Sequence, residues 1–207
     1  MARKEEPKPY HHGDLRNALV ASGLEVLAEQ GAEALNLREV ARRAGVSHAA
    51  PYRHFADKTA LIEAIAEDGF HQLWAAIEKV SSKHAKDAPH KLLALGLGYV
   101  RFAIDHPDHF RVMFTSARDP HANPSLYAAS KTGFGVLVET LRAGQVSGEL
   151  AKGDPVEQAK TLWATMHGLA VLLIDNQIMP YADMTSVKNV DMLVRRTIEQ
   201  VLAGLKA

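Results

Sequence analysis

Between Asn36 and Ala60 the chain carries Arg38, Arg42, Arg43, Arg53 and Lys58 against only Glu39 and Asp57. Such a local excess of guanidinium and ammonium groups can neutralise phosphates. It stands out because the chain as a whole is balanced, with Lys+Arg 24, Asp+Glu 24 and a formal net charge of +0. A generally basic, non-specific polyanion binder is therefore disfavoured, and any phosphate affinity must come from this cluster. The 11 histidines add positive charge below roughly pH 6.5, which would make that affinity pH-dependent.

Other chemistries fit less well. With Cys 0 there is no disulfide framework, thiolate nucleophile or thiolate metal site. A zinc sensor would draw on His106, Asp108, His109 and His121, since imidazole and carboxylate suit zinc, although loop histidines are ordinarily just solvated. No nucleophile-elbow glycine pattern surrounds a serine, and "GLGYVR" follows no strand pattern, so neither a hydrolase nor a dinucleotide loop is expected. No metal, no cofactor and no enzymatic activity are expected.

The elements that must position the cationic cluster are helical. Leu15, Leu19, Ser22, Val26 and Leu27 share one stripe, and Gly31 stands where that helix would stop. Asn36 is a good N-cap for "LREVARRAG", with Glu39 placed for a capping box. Gly45 can take the left-handed conformation that ends this helix, and Val46 would plug the angle behind it. Ser47 would then cap a second short helix reaching Phe55, and Asp57 a longer one from Lys58 to Val80. Helix, glycine turn and short helix make a helix-turn-helix, whose second helix presents free N–H groups at its first turn. An ordinary solvated helical hairpin is the competing explanation.

Pro51 falls on the fourth residue of that short helix, counted from Ser47. Its missing N–H would have bonded the cap carbonyl, so one bond is lost at a tolerable position. Ala49 and Ala50 leave the front bare for close approach to a groove, and a methyl can touch thymine. Alternatively Pro51 is a small core plug.

Downstream, the polar stretch from Ser81 to Pro89 is expected to be a joint. Helices are expected over 90–106, 108–114 and 124–145, over 154–179 with Asp154 as cap, and over 186–205. Strand alternation and Asn-Gly or Asp-Gly hairpins are missing, so the fold class is all-α. The 47% hydrophobic content is that of an ordinary globular protein, with neither a signal-peptide h-region nor a membrane-length apolar run, so a cytoplasmic protein with no membrane partner is expected.

"LREVARRAGVSHAAPYRHFADKTALIEAI" resembles the N-terminal domain of the TetR/AcrR family of bacterial transcriptional regulators. The matching features are "VARRAGVS", "YRHF", and the Lys58 and Leu61 that open the next helix. "PYHHGDLRNAL" and "LWATMHG" resemble the subgroup with a tryptophan–histidine–glycine C-terminal domain, although Pro51 departs from the wider family's aliphatic residue.

The resemblance implies a three-helix DNA-binding domain over residues 1–57, with 1–10 a flexible arm. A connecting helix over 58–80 and a larger helical effector-binding and dimerisation domain over 81–207 would follow. It implies double-stranded operator DNA as partner, contacted by Asn36, Arg38, Ser47, His48, Ala49, Tyr52, His54 and Lys58. It also implies a small hydrophobic effector held by Phe102, Phe110, Met113, Phe114, Phe134, Trp163, Met166 and His167. The last two helices would form a homodimer through Leu162, Met166, Leu169, Leu173, Val190, Leu193, Val194, Ile198 and Val201, several of which core packing alone would explain. The expected activity is repression relieved by the effector.

Overall fold

The computed structural model describes residues 12–31, 33–84, 87–115, 119–178 and 186–204, and among them all regular structure is helical. The expected arm over 1–10 lies outside these residues. The chain divides into two compact units between Ile65 and Ala66.

The first unit begins with α1 (His12–Gln30), which ends at Gly31 in the left-handed region (φ 80°). Asn36 opens α2 (Leu37–Arg43) by accepting from the backbone N–H groups of Arg38 and Glu39 at 3.1 and 2.9 Å. The reciprocal half of the expected capping box is absent from the observed bonds: the Glu39 carboxylate takes the Arg42 guanidinium instead. Gly45 (φ 68°) closes α2 with paired bonds, its own N–H to Arg42 O and that of Val46 to Ala41 O. That pattern is a Schellman closure and requires a residue indifferent to positive φ.

The segment after this turn differs from the expected capped α-helix. Residues 48–50 form a turn and Pro51–Arg53 a 3₁₀ helix, with no side-chain cap. The bonds run mostly from residue i+3 to i: Ala50 to Ser47, Arg53 to Ala50 and His54 to Pro51. The reason is Pro51. It has no N–H for the Ser47 carbonyl, so that carbonyl takes Ala50 and the chain winds tighter. Pro51 and Phe55 are buried while Ser47, His48, Ala49, Tyr52 and Arg53 are exposed. The core-plug role of Pro51 and the bare front thus coexist. Leu19, Val40, Leu61 and Ile65, each fully buried, anchor the unit at about 1.5–3 kcal/mol apiece. Asp57 caps α3 (Lys58–His84) by accepting from Ala60 N–H.

α3 continues into the second unit and through Ser81–His84, four residues into the expected joint. Pro89 does not interrupt the chain. It sits in the first turn of α4 (Ala88–Asp105), where its lost N–H is harmless, and Asp87 caps that turn. α5 (Pro107–Thr115), α6 (Pro124–Ser147), α7 (Pro155–Ile174) and α8 (Val187–Ala203) follow. α7 starts at Asp154–Pro155 as expected but stops five residues before Met179, which itself lies outside the described residues. Asn176 there adopts φ 55°, which a continuing helix forbids.

α4 is the centre of this unit, packed against α5, α6, α7 and α8. Glycines bring neighbours close. A Cβ on Gly98 would sit 3.0 Å from the Ile77 side chain, and one on Gly133 would fall inside the Trp74 indole. Of the residues expected at a dimer interface, Leu162, Met166, Leu169, Val190, Val194 and Ile198 are buried in this unit's own core, and Leu173, Leu193 and Val201 pack against it. The face left exposed on α7 carries Thr161, Ala164, Gly168 and Leu172, and that on α8 carries Met192, Arg195 and Glu199.

Candidate functional site

In the first unit, the caps and the 3₁₀ turn fix a row of outward side chains. Arg38 leaves the first turn of α2, is exposed, and makes no side-chain hydrogen bond or ion pair with another described residue. A free guanidinium can offer a bidentate donor pair to a guanine edge. Ser47, His48, Ala49 and Tyr52 line the outer side of the turn, with Tyr52 54% exposed, and Lys58 opens α3 on the exposed side. His54 is half-buried beside Phe55, their ring centroids 6.4 Å apart. Asn36 is exposed, but its carbonyl oxygen holds two backbone N–H groups and its amide nitrogen donates to Ala34 O, so the cap commits most of its polar capacity.

The other cations separate from this row. Arg42 pairs with Glu39, and the Arg42 hydrogen bond holds the Glu39 carboxyl below its ordinary range. Arg43 reaches Glu29 and Glu25, and its bond with Glu29 lowers that carboxyl while raising the guanidinium. Arg42 thus lies on an exposed face with its charge paired, whereas Arg43 is half-buried and spent on two carboxylates of α1. Arg16 of α1 was not anticipated. Its guanidinium lies 5.7 Å from the Phe55 ring centroid, a cation–π contact at the end of the recognition segment.

The second unit holds a cavity of about 380 Å³. Phe70, Leu73, Trp74 and Ile77 of α3 supply one wall, and Leu92, Leu95 and Tyr99 of α4 another. Phe134 and Leu137 of α6 and Leu162, Trp163 and Met166 of α7 close it. Among the expected effector residues, Phe114, Phe134, Trp163 and Met166 line this space. Phe102, Phe110, Met113 and His167 do not. The first three are buried core side chains, and His167 is engaged with the Tyr99 hydroxyl at 2.9 Å while stacking on Phe110. Their chemistry suits a pocket, but Phe102, Phe110 and Met113 pack into the core and His167 packs onto Phe110.

Sequence reasoning missed Tyr127, Ser130 and Lys131, which join Phe134 on the lining. Their i, i+3, i+4, i+7 spacing on α6 is a single helical stripe, and that was the available signal. Lys131 Nζ donates to the Tyr127 hydroxyl at 3.3 Å and lies 4.9 Å from its ring centroid. Trp74 was missed too. Its Nε1 is buried without a hydrogen-bond partner among the described residues, an arrangement that costs about 1–3 kcal/mol. Among the described residues no group of three or more His, Asp or Glu is placed to hold a metal ion, and no helix is long and apolar enough to cross a membrane.

Comparison with known proteins agrees with this geometry. Residues 19–65 match the family described as "Bacterial regulatory proteins, tetR family", and residues 92–201 match "Tetracyclin repressor-like, C-terminal domain". The Escherichia coli tetracycline repressor protein class C is 44% identical over 52 residues, 25% of this chain and 24% of that protein, so the match spans about a quarter of the relative. A Rhodococcus sp. RHA1 structure of unknown function superposes with a TM-score of 0.84 and 34% identity, covering 97% of this chain and 100% of that one. The TetR-family regulator PfmR from Thermus thermophilus shares the fold at TM-score 0.66 and 19% identity, over 91% and 99% of the two chains. A cap-built helix-turn-helix followed by an all-helical second unit, matched over both parts, places this chain in the TetR family of transcriptional regulators, which are DNA-binding proteins and not enzymes.

Proposed function

We propose that this chain is a repressor that binds a two-fold operator as a homodimer and leaves it when a small, largely apolar effector enters the second unit. One observation supports the reading above others: α3 begins with Lys58, just after the exposed recognition turn, and the same helix supplies Phe70, Leu73, Trp74 and Ile77 to the cavity wall. A guest touching that wall touches the helix whose first turn belongs to the DNA-binding unit. Release then requires that the guest bind the non-binding arrangement more tightly than the binding one.

In this reading Arg38 reads a base edge, while His48, Ala49 and Tyr52 enter the major groove. Ser47, His54 and Lys58 bear on the backbone, and Asn36 acts chiefly by holding the first turn of α2. The exposed faces of α7 and α8 pair two copies, since Ala164 and Gly168 allow close helix approach. Membership of the tryptophan–histidine–glycine subgroup is part of the proposal, supported by Trp163 and His167 with rings 5.9 Å apart.

Selection of bound duplexes from a random pool, followed by screening small molecules for release, tests the reading. The expected result is a palindromic site with half-sites about 10 base pairs apart, and at least one apolar compound that weakens binding. Equal binding to all duplexes would overturn the DNA assignment. Operator affinity indifferent to every cavity-bound compound would overturn the switch.

A further inference from the structure

The cavity has a chemical polarity that an apolar description misses. Its walls are aromatic and aliphatic, but the polar groups on the α6 side are biased in one direction. Lys131 contributes an ammonium, and none of the described residues lining the cavity is an aspartate or glutamate. Lys131 pairs with no carboxylate among the described residues; its neighbour is the Tyr127 hydroxyl, which accepts from it at 3.3 Å and so keeps its own O–H to donate. Ser130 is turned back on the helix, its hydroxyl donating to Tyr127 O at 2.8 Å. The indole Nε1–H of Trp74, another lining residue, is buried and has no acceptor among the described residues. The lining therefore offers donors and one cation without a balancing negative charge.

Resting on the reading of this cavity as the effector site, we propose that its guest is an apolar monoanion, an aliphatic or aryl carboxylate. The carboxylate sits at Lys131 and Tyr127, and the body lies against Trp74 and Trp163. Charge-assisted hydrogen bonds to the ammonium and the phenol orient the head. The apolar walls take the rest. A volume of about 380 Å³ lies near the small end of the roughly 300–1,000 Å³ usual for ligand pockets, so the body is a medium-length chain or one or two rings. Because Lys131 is exposed, the ion pair is partly screened and directs choice of head group more than total affinity.

The chain reports on its own cavity. It has Trp 2, and both, Trp74 and Trp163, line this space. Intrinsic tryptophan emission of the purified full chain therefore follows occupancy directly. Decanoate, decanol and decyltrimethylammonium, titrated below their micellar concentrations at neutral pH, share one body and differ in the head. Decanoate is expected to bind roughly three- to tenfold more tightly than either of the others. Lys131→Gln should erase that preference while leaving decanol binding in place, and Tyr127→Phe should reduce it. Added salt should narrow it as well. Equal or tighter binding of decanol, a preference that survives Lys131→Gln, or no binding of any of the three would overturn the assignment. Decanoate that binds as expected but leaves operator affinity unchanged would sink the repressor switch and leave the head-group assignment standing. Operator release by a neutral compound, with decanoate unable to bind, would do the reverse.

Discussion

The two units solve opposite problems. In the first, the residues proposed to meet DNA project outward: Arg38, His48, Ala49 and Tyr52 are exposed, and what holds them is backbone chemistry, namely the Asn36 cap, the left-handed Gly45 and the tight turn forced by Pro51. In the second, the proposed effector site points inward, into a cavity walled by side chains of α3, α4, α6 and α7. There the controlling features are side-chain volumes, with Gly133 yielding the room that the Trp74 ring occupies. A surface built on caps tolerates exchange of its protruding side chains, whereas a cavity built on packing responds to every methyl group.

The contrast can be broken, and the largest effect should come from the packed side. Gly133→Leu drives side-chain atoms into the Trp74 ring and should cost about 3 kcal/mol of stability, read by urea denaturation, with a shift in tryptophan emission. An unchanged midpoint would mean that the wall is not tightly packed. On the projecting side, Arg38→Ala should weaken a cognate duplex by about 1–3 kcal/mol and relax one base preference; equal losses on all sequences would make Arg38 a phosphate contact. Gly45→Ala should destabilise the protein by about 1–2 kcal/mol, the cost of a left-handed alanine, again by urea denaturation. Lys58→Ala should flatten the dependence of log K on log salt by about one unit, with little change in base preference.

The smallest effect belongs to the pair of exposed Glu29 and half-buried Arg43. Arg43 holds the Glu29 carboxyl below its ordinary range, so the pair's contribution is present above the normal carboxylate range and is lost as pH falls through the lowered folded value. Glu29→Gln should therefore differ slightly from the parent in thermal midpoint at neutral pH and converge with it in acid. A gap that widens in acid would reverse the sign of the argument.

What could be read in the sequence follows the same division. Asn36, Gly31, Gly45 and the Asp154–Pro155 pair announce helix ends because capping depends on the residue type at one position. The turn at Ser47–Phe55 was harder, because a proline at a helix start looks alike whether the chain winds as α or 3₁₀, and only the acceptor chosen by Ala50 N–H decides. The end of α3 was missed because Ser81–His84 are polar without being incompatible with a helix. Phe102 and Phe134 are chemically equivalent in the sequence, yet one is core and the other wall. The difference is the distance between helices far apart in the chain. Tyr127 and Lys131 were passed over for the same reason.

The tight winding at Pro51 has one more consequence. In a 3₁₀ turn successive side chains step by about 120° and 2.0 Å, not the 100° and 1.5 Å of an α-helix, so positions three apart eclipse. In the proposed reading, Tyr52 and Arg53, the exposed residues of this 3₁₀ segment, would therefore meet a groove at angles that an α-helix would not give them. Grafting base-reading residues from an α-helical regulator onto positions 48–53 would place the right chemical groups at the wrong angles, and a transplanted specificity would arrive rotated out of register with its bases.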